Sequence, residues 1–305
     1  MGGRALVQWE QNRRNAPEGV EADLYAGGSA PRDLAGIGFY QLPYMPSMAA
    51  VSDEHLEIIP RMPDLRVLQL VSAGYEHVLP YLPDGVTLCN GRGLHDASTA
   101  EHALGLILAA QRDLPRWALD QREHRWAAVP QRSLADQRVV IVGYGSIGRA
   151  IEARLLPFET EVVRVASRPR PDEGVHGVAE LDGLLPGADV VVLVTPLTES
   201  TRGLFGASRF ALLRDDALVV NVGRGALLDT DALLAQKGRV RAALDVTDPE
   251  PLPPGHPLWD APGVYITPHV GGGSAAFHPR ARAFVDAQLA RWAAGEPLAN
   301  VVREG

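Results

Sequence analysis

Val139-Val140-Ile141-Val142-Gly143-Tyr144-Gly145-Ser146-Ile147-Gly148-Arg149-Ala150 is the stretch on which the fold turns. An apolar, β-branched run leads straight into Gly-x-Gly-x-x-Gly, and the helix-like Ile151-Glu152-Ala153-Arg154-Leu155-Leu156 follows. Strand, turn and helix in that order are what a dinucleotide-binding unit requires. Gly143 permits the tight turn, Gly145 lets the backbone approach a pyrophosphate, and Gly148 lets the helix pack closely on the strand. Tyr144, Ser146 and Ile147 complete the loop, and the free amides at the helix start suit phosphate oxygens.

Working outward, apolar strand-like runs continue downstream at 162–166, 190–195, 217–222, 242–246 and 265–267, with helix patterns at 179–185 and 230–236. Residues 277–294 read as a last amphipathic helix stopped by Gly295. Upstream, strand-like segments at 4–9, 36–41, 65–72 and 85–89 alternate with helical ones such as 52–61, which implies a second, smaller parallel α/β domain. Ser98 followed by Glu101 is a capping box, so a long buried helix is expected to start there. Residues 112–132 read as a polar helix and a connecting loop. There is no internal repeat and no low-complexity tail.

The chain has 305 residues, room for two domains of ordinary size. Its net charge of −8, with dispersed basic residues, argues against nucleic acid as the ligand. No apolar run reaches membrane-spanning length and the start lacks a signal-peptide core, so a cytoplasmic, non-membrane protein is expected. The single cysteine, Cys89, lies in an apolar strand pattern and reads as a buried thiol. No Cys/His cluster has zinc-site spacing, so no metal is expected.

About 20 residues after the glycines, a cofactor strand presents a carboxylate to the adenosine ribose when it binds NAD, and a basic residue when it binds NADP. Here the strand ends in Ser167-Arg168-Pro169-Arg170, with no carboxylate. Ser167, Arg168 and Arg170 suit a 2′-phosphate, because guanidinium groups make forked, charge-assisted hydrogen bonds to phosphate oxygens. Further on, three strand ends carry chemistry: Arg224 between glycines after Asn221-Val222, Asp245 and Glu250 in Leu244-Asp245-Val246-Thr247-Asp248-Pro249-Glu250-Pro251, and His269 in Thr267-Pro268-His269. An arginine can pair with a carboxylate and polarise a carbonyl, and a histidine is the natural proton donor to a forming alcohol near neutral pH.

With these residues in order and at these spacings, residues 65–301 resemble the D-isomer-specific 2-hydroxyacid dehydrogenase family. Val194-Thr195-Pro196-Leu197-Thr198, Ala100-Glu101-His102 and the closing 295–301 stretch add to the likeness. The resemblance implies two doubly wound parallel-sheet domains, a Rossmann cofactor domain (97–274) inserted into a smaller flavodoxin-like substrate domain (1–96 with 275–305). Its hinges would lie near Asp96 and Gly273 and its active site in the cleft between the domains. It further implies a catalytic set in which Arg224 binds the substrate carboxylate and reacting oxygen, His269 passes the proton, and Glu250 orients His269 and tunes its basicity. Asp245 would hold the nicotinamide carboxamide, and Thr195, Pro196 and Val222 would line the cofactor channel. The amides of Ala73 and Gly74 would give a second grip on the carboxylate.

Within the family, Ser167-Arg168-Pro169-Arg170 is most similar to the NADP-preferring glyoxylate and hydroxypyruvate reductases. The expectation is therefore reduction of a small anionic 2-oxo acid to the D-2-hydroxy acid with NADPH, NAD being the alternative cofactor. A homodimer with contacts in 100–126 goes with it. The loop 41–48, with Tyr44, is expected to face the substrate's side chain. The other readings are an NAD-dependent enzyme acting on another 2-hydroxy acid and a non-catalytic dinucleotide-sensing interaction protein. Two stretches depart from the family pattern: the glycine-rich run after His269, and everything before Leu65.

Overall fold

The first sheet is built from β1 (Gly3–Val7), β2 (Val20–Leu24), β3 (Ile37–Gln41), β4 (Val67–Gln69) and β5 (Thr87–Cys89), parallel and in the spatial order 2-1-3-4-5. This is the flavodoxin-like order. β13 (Val301–Arg303) adds an antiparallel edge beside β5. The computed structural model describes residues 3–27, 29–44 and 54–305. It falls into two units, Met1–His95 with Gly273–Gly305, and Asp96–Gly272.

In the first unit successive side chains of β1 serve opposite faces, as parallel strands covered on both sides must. Leu6 joins one core cluster with Tyr40, Leu68 and Leu88. Ala5 and Val7 join the other, with Phe39 and Cys89. The second face is covered by α9 (Phe277–Ala294), whose Phe277, Ala281, Val285 and Leu289 recur every fourth residue and are buried. The helix ends on Gly295 at φ 69°, a left-handed stop that glycine adopts without strain. Cys89 is fully buried, and burial pushes its thiol up to about 11, which makes it a packing residue and not a nucleophile. The short helices α1 (Glu10–Arg14) and α2 (Glu54–Glu57) complete the unit. The helix expected over 52–61 is only α2 and a 3₁₀ turn at Ile59–Arg61, since Pro60 has no amide to continue the ladder. Ser52 and Asp53 lie outside the described residues.

The second unit holds seven parallel strands in the order β12-β11-β10-β9-β6-β7-β8. They are β6 (Arg138–Val142), β7 (Glu161–Ala166), β8 (Val175–Gly177), β9 (Val190–Leu193), β10 (Leu218–Asn221), β11 (Arg241–Leu244) and β12 (Val264–Ile266). Val140 and Val142 pack into one core with Phe205, Phe210 and Leu233, and Val139 and Ile141 into the other with Ile107, Ile151 and Leu155. The helices are α3 (Asp96–Gln111), α4 (Leu114–Arg122), α5 (Ser146–Leu155), α6 (Leu181–Leu184), α7 (Ala207–Leu212) and α8 (Thr230–Leu234). Strand order reverses between β6 and β9, and in such sheets the ligand crevice lies at the carboxyl ends around that point.

α3 starts at Asp96, so Ser98 and Glu101 sit inside its first turns and not at its cap. Its far end is held by Arg241 of β11, only 8% exposed, whose guanidinium donates to the Ala110 carbonyl (2.9 Å), to Gln111 Oε1 (2.7 Å) and to the Asp216 carbonyl (3.0 Å). Burial lowers the Arg241 pKa, but a cation here also meets the negative end of the helix. Arg241→Met should therefore destabilise the protein by about 2–4 kcal/mol, read as a lowered denaturant midpoint, because it strands the Ala110 and Asp216 carbonyls, which have no other donor among the described residues. No helix among the described residues is long and apolar enough to cross a membrane.

Candidate active site

Every candidate residue of the second unit lies at or just beyond the carboxyl end of a strand. After β6, the amides of Gly143 and Tyr144 both donate to the Val165 carbonyl at 2.9 Å, which folds the turn onto the end of β7. Gly143 has φ 115°, and a Cβ there would meet the Thr195 nitrogen and the Val194 carbonyl carbon, both at 2.6 Å. A Cβ on Gly148 would be 2.5 Å from the Gly143 oxygen. A Cβ on Gly145 would have nothing within 4 Å. α5 begins there without a capping side chain, and the amides of Ser146, Ile147 and Gly148 donate to no other group among the described residues. A side-chain-free position lined by unpaired amides fits a pyrophosphate. Thr195 lies against this turn, and its carbonyl would be 3.0 Å from a Cβ on Gly223, so the ends of β6, β9 and β10 close one continuous edge. Pro196 follows Thr195 exposed, and Val222 is buried at the end of β10.

At the end of β7, Ser167 and Arg168 are exposed, and Arg168 makes no hydrogen bond or ion pair among the described residues. Arg170 turns the other way. Its Nη2 donates to the Tyr144 carbonyl at 2.9 Å and its Nε lies 3.3 Å from Glu173. The Tyr144 ring has the guanidinium carbons of Arg149, Arg164 and Arg170 at 4.9, 5.4 and 5.9 Å from its centroid, and its hydroxyl donates to Glu152. This edge is cationic and already ordered, with Arg168 as its uncommitted charge.

Arg224 stands on a loop braced by Asn221, whose side chain accepts from the Gly223 amide (3.1 Å) and donates to the Arg224 carbonyl (2.9 Å). Its Nη1 donates to the Gly223 carbonyl at 2.7 Å, and no carboxylate pairs with it among the described residues. Gly225 brings this loop against the segment leading to Glu250: a Cβ on it would lie 1.9 Å from the Thr247 oxygen. Glu250 Oε1 is 2.5 Å from Nδ1 of His269. That contact fixes the ring and leaves Nε2 as the nitrogen free to exchange a proton.

His269 has φ 52°, the left-handed region that costs a non-glycine residue about 1 kcal/mol. The strain is held by its own amide, which donates to the carbonyls of Asp245 (2.8 Å) and Thr267 (3.0 Å). Asp245 is 3% exposed and is the hub of this turn. Its Oδ1 accepts from the Thr267 hydroxyl (2.6 Å) and the Val270 amide (2.9 Å), and its Oδ2 from the Gly271 amide (2.8 Å). His102 of α3 approaches Oδ1 at 3.1 Å. Burial raises the Asp245 pKa, but the hydrogen bonds from His102, Thr267 and the two amides outweigh it and hold the carboxyl below its ordinary value. Most of its accepting capacity is spent inside the chain, a structural task besides the cofactor contact that the family resemblance implies. In the sequence His102, Thr267 and Asn221 carry no signal of their own beyond a histidine at the start of the apolar run of α3.

In the first unit the loop after β4 carries Ala73 and Gly74. Its carbonyls are taken: Ser72 Oγ donates to Gly74 O (2.8 Å), Asn90 Nδ2 to Ala73 O (2.8 Å) and the Gly91 amide to Ser72 O (2.7 Å). The amides of Ala73 and Gly74 donate to no group among the described residues. Tyr44 is held by Gln8 and its ring packs 4.3 Å from that of Phe277. The rest of the expected substrate loop, Met45 to Met48, lies outside the described residues. No cluster of three His, Cys, Asp or Glu among the described residues is arranged to hold a metal.

The family model for the NAD-binding domain of D-isomer specific 2-hydroxyacid dehydrogenases matches residues 104–271. Glyoxylate/hydroxypyruvate reductase B of Escherichia fergusonii is 36% identical over 239 residues, 74% of this chain and 73% of that protein. The crystal structure of an NADPH-dependent glyoxylate/hydroxypyruvate reductase from Sinorhizobium meliloti, in complex with NADP and sulfate, superposes with a TM-score of 0.82 at 30% identity and 98% coverage of both chains. That of a D-isomer specific 2-hydroxyacid dehydrogenase family protein from Aeromonas salmonicida superposes at 0.86, with 26% identity and 99% coverage of both.

Proposed function

Since the chain belongs to the D-isomer specific 2-hydroxyacid dehydrogenase family, a family of nicotinamide-dependent oxidoreductases, we propose that it reduces a small 2-oxo acid, such as glyoxylate or hydroxypyruvate, with NADPH. The observation that carries this reading is the Glu250–His269 pair, 2.5 Å apart with Nε2 left free, packed by Gly225 against the loop of an arginine that has no carboxylate partner among the described residues. The glycine turn and the bare start of α5 would hold the pyrophosphate, and Thr195, Pro196 and Val222 would flank the cofactor. When bound, the reduced nicotinamide supplies the hydride that the carbonyl carbon accepts. Arg224 pairs with the substrate carboxylate and draws charge onto the carbonyl oxygen. His269 gives that oxygen the proton on Nε2 while Glu250 keeps the imidazole in register. In the first unit, the unpaired amides of Ala73 and Gly74 are the groups suited to gripping a carboxylate. Asp245, besides holding the histidine turn, retains an accepting position on Oδ2 for the nicotinamide carboxamide.

A panel of 2-oxo acids assayed with NADPH and NADH tests the proposal. Turnover of a small 2-oxo acid with NADPH preferred supports it. Preference for NADH sinks the cofactor assignment, and tight NADPH binding with no turnover of any acid would favour a sensor.

The preference rests on Arg168, exposed and unpaired beside Ser167. Arg168→Ala should lower kcat/KM with NADPH by about 10- to 100-fold and leave NADH nearly unchanged, since one charge-assisted contact to phosphate contributes about 1.5–3 kcal/mol. Arg170 enters this reading as the strut that fixes the loop through Tyr144 and Glu173.

A homodimer is part of the same proposal. Trp126 is 99% exposed on the segment after α4, with Leu119 and Leu114 also more than half exposed, large apolar side chains that a second copy could cover. The mass in solution, by light scattering, decides it.

A further inference from the structure

The contact between α3 and the histidine turn is a proton-ordered chain. Thr267 has one hydroxyl proton, and its 2.6 Å approach to Asp245 Oδ1 commits that proton to the carboxylate. The Thr267 oxygen is then an acceptor toward His102 Nε2, 2.9 Å away, so Nε2 of His102 carries a hydrogen. The chain therefore runs His102 to Thr267 to Asp245, and the carboxylate at its end receives the amides of Val270 and Gly271, which immediately follow His269. The carboxylate is closely packed here: a Cβ on Gly271 would lie 2.8 Å from Asp245 Oδ2 and 3.4 Å from His102 Cδ2. The His269 backbone is left-handed, so it keeps its place only while its surroundings over-determine it.

We propose that His102 and Thr267 are positioning residues for proton transfer at His269. Thr267 by donating to Asp245, and His102 by donating to Thr267 with its Nε2 also 3.1 Å from Asp245 Oδ1, lock the turn that aims His269 Nε2 while Glu250 holds the other ring nitrogen. Removing either donor lets the carboxylate swing and the turn relax toward an unstrained backbone. The imidazole then stays bonded to Glu250 with Nε2 misdirected, and small misplacements of a reacting group cost rate far more than binding.

The inference rests on His269 being the proton donor, and one variant series separates the two ideas. His102→Leu and the near-isosteric Thr267→Val should each lower kcat by about 10-fold or more, with the dissociation constant for NADPH, from nicotinamide fluorescence, changed less than about two-fold. His102→Gln, which returns an amide donor near the Nε2 position, and Thr267→Ser should recover most of the loss. In a His269→Gln background neither His102→Leu nor Thr267→Val should lower the residual rate further, because the group they aim is gone. Wild-type kcat in His102→Leu, a loss confined to NADPH affinity, or full additivity in the His269→Gln background each overturns the inference. If His269→Gln itself keeps wild-type turnover, the proton-donor assignment falls first.

Discussion

Replacing His269 by glutamine is expected to lower kcat by about 10²- to 10⁴-fold, the range for removing a general acid, while NADPH affinity stays nearly unchanged. Glutamine keeps much of the bulk and a polar end toward Glu250, so the loss reads proton delivery and not packing. The residual rate reflects what Arg224 and substrate positioning supply without a donor. Single-turnover kinetics with a saturating 2-oxo acid check it, and a variant as fast as the parent would end the case for His269.

The second large effect is expected from Gly225→Ala. A Cβ at this position would be 1.9 Å from the Thr247 oxygen, 2.0 Å from its carbonyl carbon and 2.7 Å from the Asp248 nitrogen. All three are main chain, so no side chain can swing aside. The Arg224 loop and the segment leading to Glu250 must separate, which displaces two of the three groups proposed for catalysis together. A stability loss of about 1–3 kcal/mol and a fall in turnover of about 100-fold or more should follow. Gly145→Ala is the control, because there the added methyl meets nothing within 4 Å of the protein. It should leave the fold intact and weaken only the dinucleotide. Thermal melting together with kcat and NADPH titration separates the two variants.

The parts of this molecule that could be read from sequence were those where one local pattern settles the matter. Central parallel strands such as β6 and β9 are continuous apolar runs because both faces are buried, and the glycine turn is legible because each glycine answers a steric demand. β2 and β8 were not anticipated: β2 is a partly exposed edge strand with mixed polarity, and β8 is three residues long. Arg168 and Arg170 look equivalent in a line of text, yet one is free and the other is bound to Tyr144 and Glu173. Only the fold could distinguish them. The His102 contact was invisible for a different reason: its partners stand at Asp245 and Thr267, more than a hundred residues along the chain, and no local pattern encodes that meeting.

That meeting also says something about modularity. Residues 96–272 are one uninterrupted length of chain, entered at Asp96 and left at Gly272. His102, early in the entering helix, and Gly271, the penultimate residue of the stretch, both touch the carboxylate of Asp245. The two ends of the insert are thus clasped by a group that belongs to the insert itself. A segment closed in this way carries its own boundary condition, and it is expected to keep its ends together when separated from residues 1–95 and 273–305.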